Sequence, residues 1–289
     1  MKFGQVDNPE EIDFSLPPDH PDTADALKAG GDKPFEVYVG CAKWNRADLK
    51  GFYPRGTKDE LTYYSTQFNS IELNATFYNT PNKEQVITWR DKTPQGFKFF
   101  PKLSNSISHF RRLLNVDEFV TGFCDSIVHF EDKLGTTFLQ LHDNYKPKDY
   151  DRLETFVKDF PKAVPLAVEL RNAEWFASKE TAGQVFDLFK REGVTPVLVD
   201  SAGRRDLLHM RLTSSTAFVR YVGANHPSDY DRLDEWVERI AEWRATGLNS
   251  LAFFIHQNIE KESPLLAAHF IKKLNERLDL DLKTPQGRS

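Results

Sequence analysis

Residues 70–78 read SIELNATFY. Apolar and polar side chains alternate from Ile71 to Thr76, which is the period of a β-strand. A helix-like stretch from Lys58 to Phe68 precedes it and another from Lys83 to Trp89 follows it. A parallel strand buried between helices is framed in this way. Such a strand has no solvent face, so Glu72, Asn74 and Thr76 need partners inside the protein. Those partners must come from other strands.

Seven further β-type runs share the chain: FEVYVG (35–40), FKFFPK (97–102), TTFLQLH (136–142), PLAVEL (165–170), TPVLVD (195–200), AFVRYVG (217–223) and SLAFFIH (250–256). Between them, apolar residues recur at helical spacing, as in Leu153, Phe156, Val157 and Phe160, or Leu233, Trp236, Val237 and Ile240. Asp117 to Glu131 reads as a further helix. Eight strands nearly all followed by helices argue for parallel pairing, because each crossover restarts the next strand in the same direction. The count of eight fits a closed (β/α)8 TIM barrel over residues 35–289, with an open doubly wound sheet as the alternative. Segment 201–216 is too short and broken for a full outer helix. Residues 1–34, rich in Pro, Asp and Gly, read as an extended arm with one helical turn near Thr23 to Lys28, anchored by Phe14 and Leu16.

Net charge is −5 with a pI near 5.9, and no Lys/Arg block occurs, which argues against a nucleic-acid footprint. Cys41 and Cys124 give neither a disulfide framework nor zinc spacing. Cys124 falls in the apolar stripe Val120, Phe123, Ile127, as a core thiol does. Neither a long apolar run nor a signal-peptide layout is present, so a cytoplasmic protein without membrane contact is expected.

Barrel strands alternate between inner core and outer layer, and barrel active sites gather at the C-terminal strand ends. There the sequence supplies Glu72 and Asn74, Lys102, Gln140 and His142, Glu169 and Arg171, Asp200, Arg220, and His256 with Asn258. Gly40 permits close backbone approach, and Trp44, Tyr78 and Trp175, with Phe77 and Phe176, follow strand ends where they can line a cleft or plug the mouth. A single such residue is ordinarily structural. So many polar strand ends together are costly unless water or a ligand meets them.

Three carboxylates (Glu72, Glu169, Asp200) face three cations (Lys102, Arg171, Arg220). Paired carboxylates suit general acid and base work, and Arg and Lys suit a phosphate or carboxylate handle. Carboxylates with His142 and His256 make a divalent metal a possible cofactor, although the cations oppose one. No GxGxxG, GxxxxGK[ST] or GxSxG motif is present, so no cofactor is identified by pattern.

The same strand ends carry a family resemblance. Val39-Gly40-Cys41 with Trp44, Phe52-Tyr53-Pro54, the block from Tyr63 to Tyr78, Lys102 with Ile107-Ser108-His109, Gln140-Leu141, and Glu169-Leu170-Arg171 followed by Trp175-Phe176 resemble the YecE-like family, known as domain of unknown function 72. The resemblance implies a TIM barrel and no established activity. Departures stand at His142-Asp143-Asn144, where prolines are usual, at Tyr221-Val222 before Gly223, where a His is usual, and at His256-Gln257-Asn258, where paired asparagines are usual. The arm looks like an addition of this branch.

Three functions follow. The first is an enzyme (hydrolase, lyase or isomerase) acting on a small polar, anionic or sugar-like substrate, with Glu72 and Glu169 as the acid/base pair. Lys102, Arg171 and Arg220 would then stabilise charge, with Asn74, Gln140 and His256 as orienting groups. The second is a metal-assisted phosphodiesterase or isomerase using Glu72, His142, Glu169, Asp200 and His256. The third is a non-catalytic metabolite-binding protein.

Overall fold

The computed structural model describes residues 4–286. Helix α1 (Asp22–Lys28) lies in the arm, and the alternation then begins with β1 (Glu36–Cys41), α2 (Glu60–Gln67) and β2 (Ser70–Leu73). The short α3 (Ala75–Tyr78), α4 (Lys83–Asp91) and β3 (Lys98–Pro101) follow, then α5 (Asp117–Ile127), β4 (Thr137–Gln140), α6 (Tyr150–Asp159) and β5 (Leu166–Glu169). The chain closes with α7 (Lys179–Glu192), β6 (Thr195–Ser201), β7 (Thr216–Gly223), α8 (Ser228–Thr246), β8 (Ser250–Gln257) and α9 (Ser263–Leu278). Asp59, Asn82 and Ser178 each accept a backbone N–H from the first turn of α2, α4 and α7.

All strand pairs are parallel. Six strands form one sheet in the order β1-β8-β7-β6-β5-β4, and β2 pairs with β3. The first strand thus lies beside the last, and the order never reverses as it would at a doubly wound switch point. Between β1 and β2 the contact is made by side chains. Asn69 accepts from Val39 N (2.9 Å) and donates to Val37 O (2.7 Å), while the Tyr64 hydroxyl links Cys41 N to Ser70 O. Gly40 is required there, because a Cβ would lie 2.3 Å from the Ser70 carbonyl oxygen. The close approach expected at Gly40 is therefore to a neighbouring strand. Between β3 and β4, Gly135 N donates to Phe99 O and Leu103 N to Phe138 O, at 2.7 and 2.9 Å.

Inside the strands, Phe100, Phe138, Ala167, Val197, Val199, Phe218, Ala252 and Phe254 form one apolar layer. A larger apolar layer lies between strands and helices and includes Cys124. Two residues beyond the inner layer along their strands come Lys102, Gln140, Glu169, Arg220 and His256. The pleat therefore brings these polar side chains to the same interior, one step nearer the C-terminal ends.

The arm is ordered against this body. Between β6 and β7 there is only a short turn, Ala202–Leu207, and an extended run, as the broken sequence predicts. Helix α1 takes up the vacant flank beside α8: Thr23 bonds Met210 O and Leu212 N, each at 3.1 Å, and Leu27 is 1% exposed. Asp19 binds Arg239 (2.6 Å) and the Trp243 indole (2.7 Å), and Asn249 donates to Gly30 O. The helical turn expected near Thr23 to Lys28 is thus present as α1.

Candidate active site

Arg220 is the centre of the interior network. Its Nε and Nη2 donate to the two oxygens of Glu72, both at 2.8 Å, and its Nη1 donates to Glu169 Oε2 at 2.6 Å. Both carboxylates are fully buried. Such fork geometry is the strongest neutralisation that one guanidinium offers. Burial alone would raise the Glu72 carboxyl, but Arg220 and then His256 outweigh it and hold it well below its usual range. Burial likewise opposes ionisation of Glu169, and Arg220 and Arg171 reverse that. Both groups are therefore anions at neutral pH, and neither holds a proton to donate.

Asn74 is the first residue beyond β2, where the chain turns into α3. The predicted strand 70–76 thus ends at Leu73. Its amide still reaches Glu72 Oε1 at 2.7 Å. Thr76 bonds the carbonyls of Leu73 and Lys102 and so ties α3 to the end of β3. His256 Nε2 lies 2.9 Å from Glu72 Oε2. An ionised carboxylate only accepts, so Nε2 carries the proton, and the 3.3 Å approach of Arg220 Nη2 to it brings two donors together.

Gln140 sits between the charges. Its amide nitrogen donates to both oxygens of Glu169 (2.9 and 3.0 Å), and its Oε1 accepts from Lys102 Nζ (2.8 Å) and Arg171 Nη1 (3.1 Å). Arg171 also approaches Glu169 Oε1 at 3.3 Å, and its guanidinium is pushed down to about 10, chiefly by burial. Lys102, 7% exposed, has the Phe77 ring 4.1 Å from its Nζ, and among the described residues no carboxylate pairs with it. Burial first, and the Arg220 cation second, push its amine down to about 7.

Two groups that the sequence reading left out of the site belong near it. His109 packs edge-on against Phe77 and against His142, both at 5.0 Å between ring centres, and burial with the His142 neighbour pushes it down to about 4. Glu260 lies beyond β8, 3.8 Å from His256 Nδ1, and burial raises its carboxyl above the usual range. Their positions in loops following β3 and β8 were the available signal.

Other expected site residues stand apart. Asp200 faces outward, because Val197 and Val199 take the inner parity of β6; it binds Arg232 (2.7 Å), the Trp236 indole (2.7 Å) and Arg205. Trp175 is buried against Tyr145 and donates to its carbonyl. Trp44 lines a flank cleft of about 550 Å³ with Arg46, Asp59 and Trp89. Tyr78 is exposed and Asn258 is half-buried just past β8, while His142 lies at the edge of the network, packed on His109 and paired with Asp143. The proposed metal set is thus dispersed: among the described residues no three His, Cys, Asp or Glu converge on one point.

The sequence profile described as "Protein of unknown function DUF72" matches residues 38–288. The chain belongs to the DUF72 family. That description assigns no activity. Protein YecE of Escherichia coli is 26% identical over 264 residues, which cover 84% of this chain and 94% of YecE. Protein YunF of Bacillus subtilis is 26% identical over 166 residues, covering 54% and 58%. Among solved structures, a DUF72 protein of Thermotoga maritima is 26% identical with a TM-score of 0.67, over 83% of this chain and 99% of that one. Another, from Enterococcus faecalis, is 17% identical with the same TM-score, over 86% and 99%. The DUF72 match begins after the arm. Among the described residues no helix is long and apolar enough to cross a membrane.

Proposed function

We propose that this DUF72 protein is an enzyme acting by proton transfer on a small anionic substrate at the C-terminal rim of one (β/α)8 barrel. The pairing of β1 with β8, the side-chain links at the β1–β2 seam and the backbone bonds at the β3–β4 seam support closure of the eight strands over residues 35–289, with residues 1–34 as an arm on the flank. The observation that carries the function is Lys102. It is a buried amine facing a neutral amide and an aromatic ring while Arg220 occupies both nearby carboxylates. A base poised near neutral pH is what general base catalysis requires.

In this reading Lys102 accepts the proton. Glu72 and Glu169 fix Arg220 as a preorganised cation, and Arg171 meets the carboxylate or phosphate of the substrate. Asn74, Gln140 and His256 hold the carboxylates and the amine in place. Lyase or isomerase chemistry beside a carbonyl suits these groups. A cytosolic location is part of the proposal, supported by two buried free thiols.

Thermal melting in the presence of lactate and of inorganic phosphate tests the reading. A rise in Tm for the native protein that Arg171→Met abolishes supports it. No rise with either anion overturns it.

A further inference from the structure

We propose that Lys102 is an imine-forming lysine, whose ε-amine condenses with the carbonyl carbon of a small aldehyde or ketone bearing a carboxylate or phosphate. This inference rests on the rim reading above and names its substrate class. Three features of the geometry carry it. Gln140 stands between Lys102 and Glu169, giving the amine an amide oxygen at 2.8 Å where an ion pair would otherwise lock it as ammonium. Arg220 takes Glu72 and one oxygen of Glu169, so neither carboxylate turns to the amine. The Phe77 ring covers one side of Nζ, and Arg171, bonded to the same Gln140 oxygen, brings a cation to the position an anionic substituent would take.

The amine nitrogen forms a bond to the carbonyl carbon, and the carbonyl oxygen leaves as water with two hydrogens, both originally on the neutral amine. The imine nitrogen then takes a proton from solvent water to give the iminium, which is the species that hydride can trap. Nucleophilic attack needs the neutral amine. Around it stand Arg220, Arg171, Glu169, Glu72 and His109, and their net effect with burial is the depressed amine described above.

Reductive trapping of the full chain tests this. The protein is incubated at pH 7 with pyruvate or dihydroxyacetone phosphate and cyanoborohydride, which supplies the hydride, and the labelled lysines are mapped by mass spectrometry. The expected product is a secondary amine at Lys102, with a mass gain equal to the probe less one oxygen. Labelling should exceed that of any surface lysine by on the order of tenfold or more, since an ordinary amine with a pKa near 10.4 is almost wholly protonated there. Gln140→Glu should suppress the labelling at pH 7 and restore it at higher pH, by giving the amine a carboxylate partner. Labelling spread over surface lysines with no excess at Lys102 for either probe overturns the inference. If lactate still raises the Tm in that case, the anion-binding rim survives and imine chemistry alone is lost. If lactate and phosphate also fail, both readings fall.

Discussion

Two buried charge clusters lie on opposite faces of the strands, and they differ in what remains after pairing. On the outer face, Asp200 and Asp229 hold Arg232, which also sits 4.4 Å from the rings of Phe14 and Tyr221. Arg205 and the Trp236 indole complete Asp200. Every cation there meets a carboxylate, and the arm packs over the cluster. On the inner face, Glu72 and Glu169 are likewise matched by Arg220, yet Lys102 is left with a neutral partner. Burying charge costs several kcal/mol in either place. Only the inner cluster spends that cost on an amine that can change its charge near neutral pH.

The comparison can be broken by substitution. Arg220→Met strands two buried carboxylates and should lower stability by about 3–5 kcal/mol in urea unfolding. A loss below about 1 kcal/mol would show that the carboxylates are not held by Arg220. Leu27→Ala, under the arm helix, should cost about 2–5 kcal/mol if α1 serves as part of the outer layer. Asp200→Asn should cost about 1–3 kcal/mol and leave trapping at Lys102 unchanged, which separates the two faces. Lys102→Met should leave Tm unchanged or raise it at pH 6, because the native amine resists the charge it carries in the unfolded chain. That burden is full below pH 7 and fades as pH climbs towards 10.5, so the gap between the variant and the native protein should narrow over this window.

Acid acts through other groups. His109 and the half-buried His209 are both held down to about 4, so the unfolded chain binds more protons below 6.5 and Tm should begin to fall there. Below 4.5 the lowered Glu72 and Glu169 add to the decline, because their stabilisation is lost as they protonate. A flat Tm from pH 7 to 4 would contradict the burial of these imidazoles.

Much of the fold was legible because parallel strands announce themselves as short apolar runs between helical stripes. The inner network was legible through parity: Lys102, Gln140, Glu169 and Arg220 each follow an inward apolar residue by two. Asp200 was misassigned to the rim because a charged residue at a strand end reads alike on either face, and a slip of one residue reverses it. Trp175 and Trp44 both follow strand ends, where the sequence does not distinguish a cleft wall from loop packing; Trp175 packs on Tyr145 and Trp44 on Trp89. The roles of Glu72 and Glu169 depended on which cation reached them, a tertiary fact that no local spacing encodes. The same holds for Glu260.

The charge state of Lys102 is the centre of this account. An NMR titration of its side-chain 13Cε resonance, assigned by loss of the signal in Lys102→Arg, measures it directly. The expected midpoint is about 7. A midpoint near the ordinary lysine value of about 10.4 would contradict it.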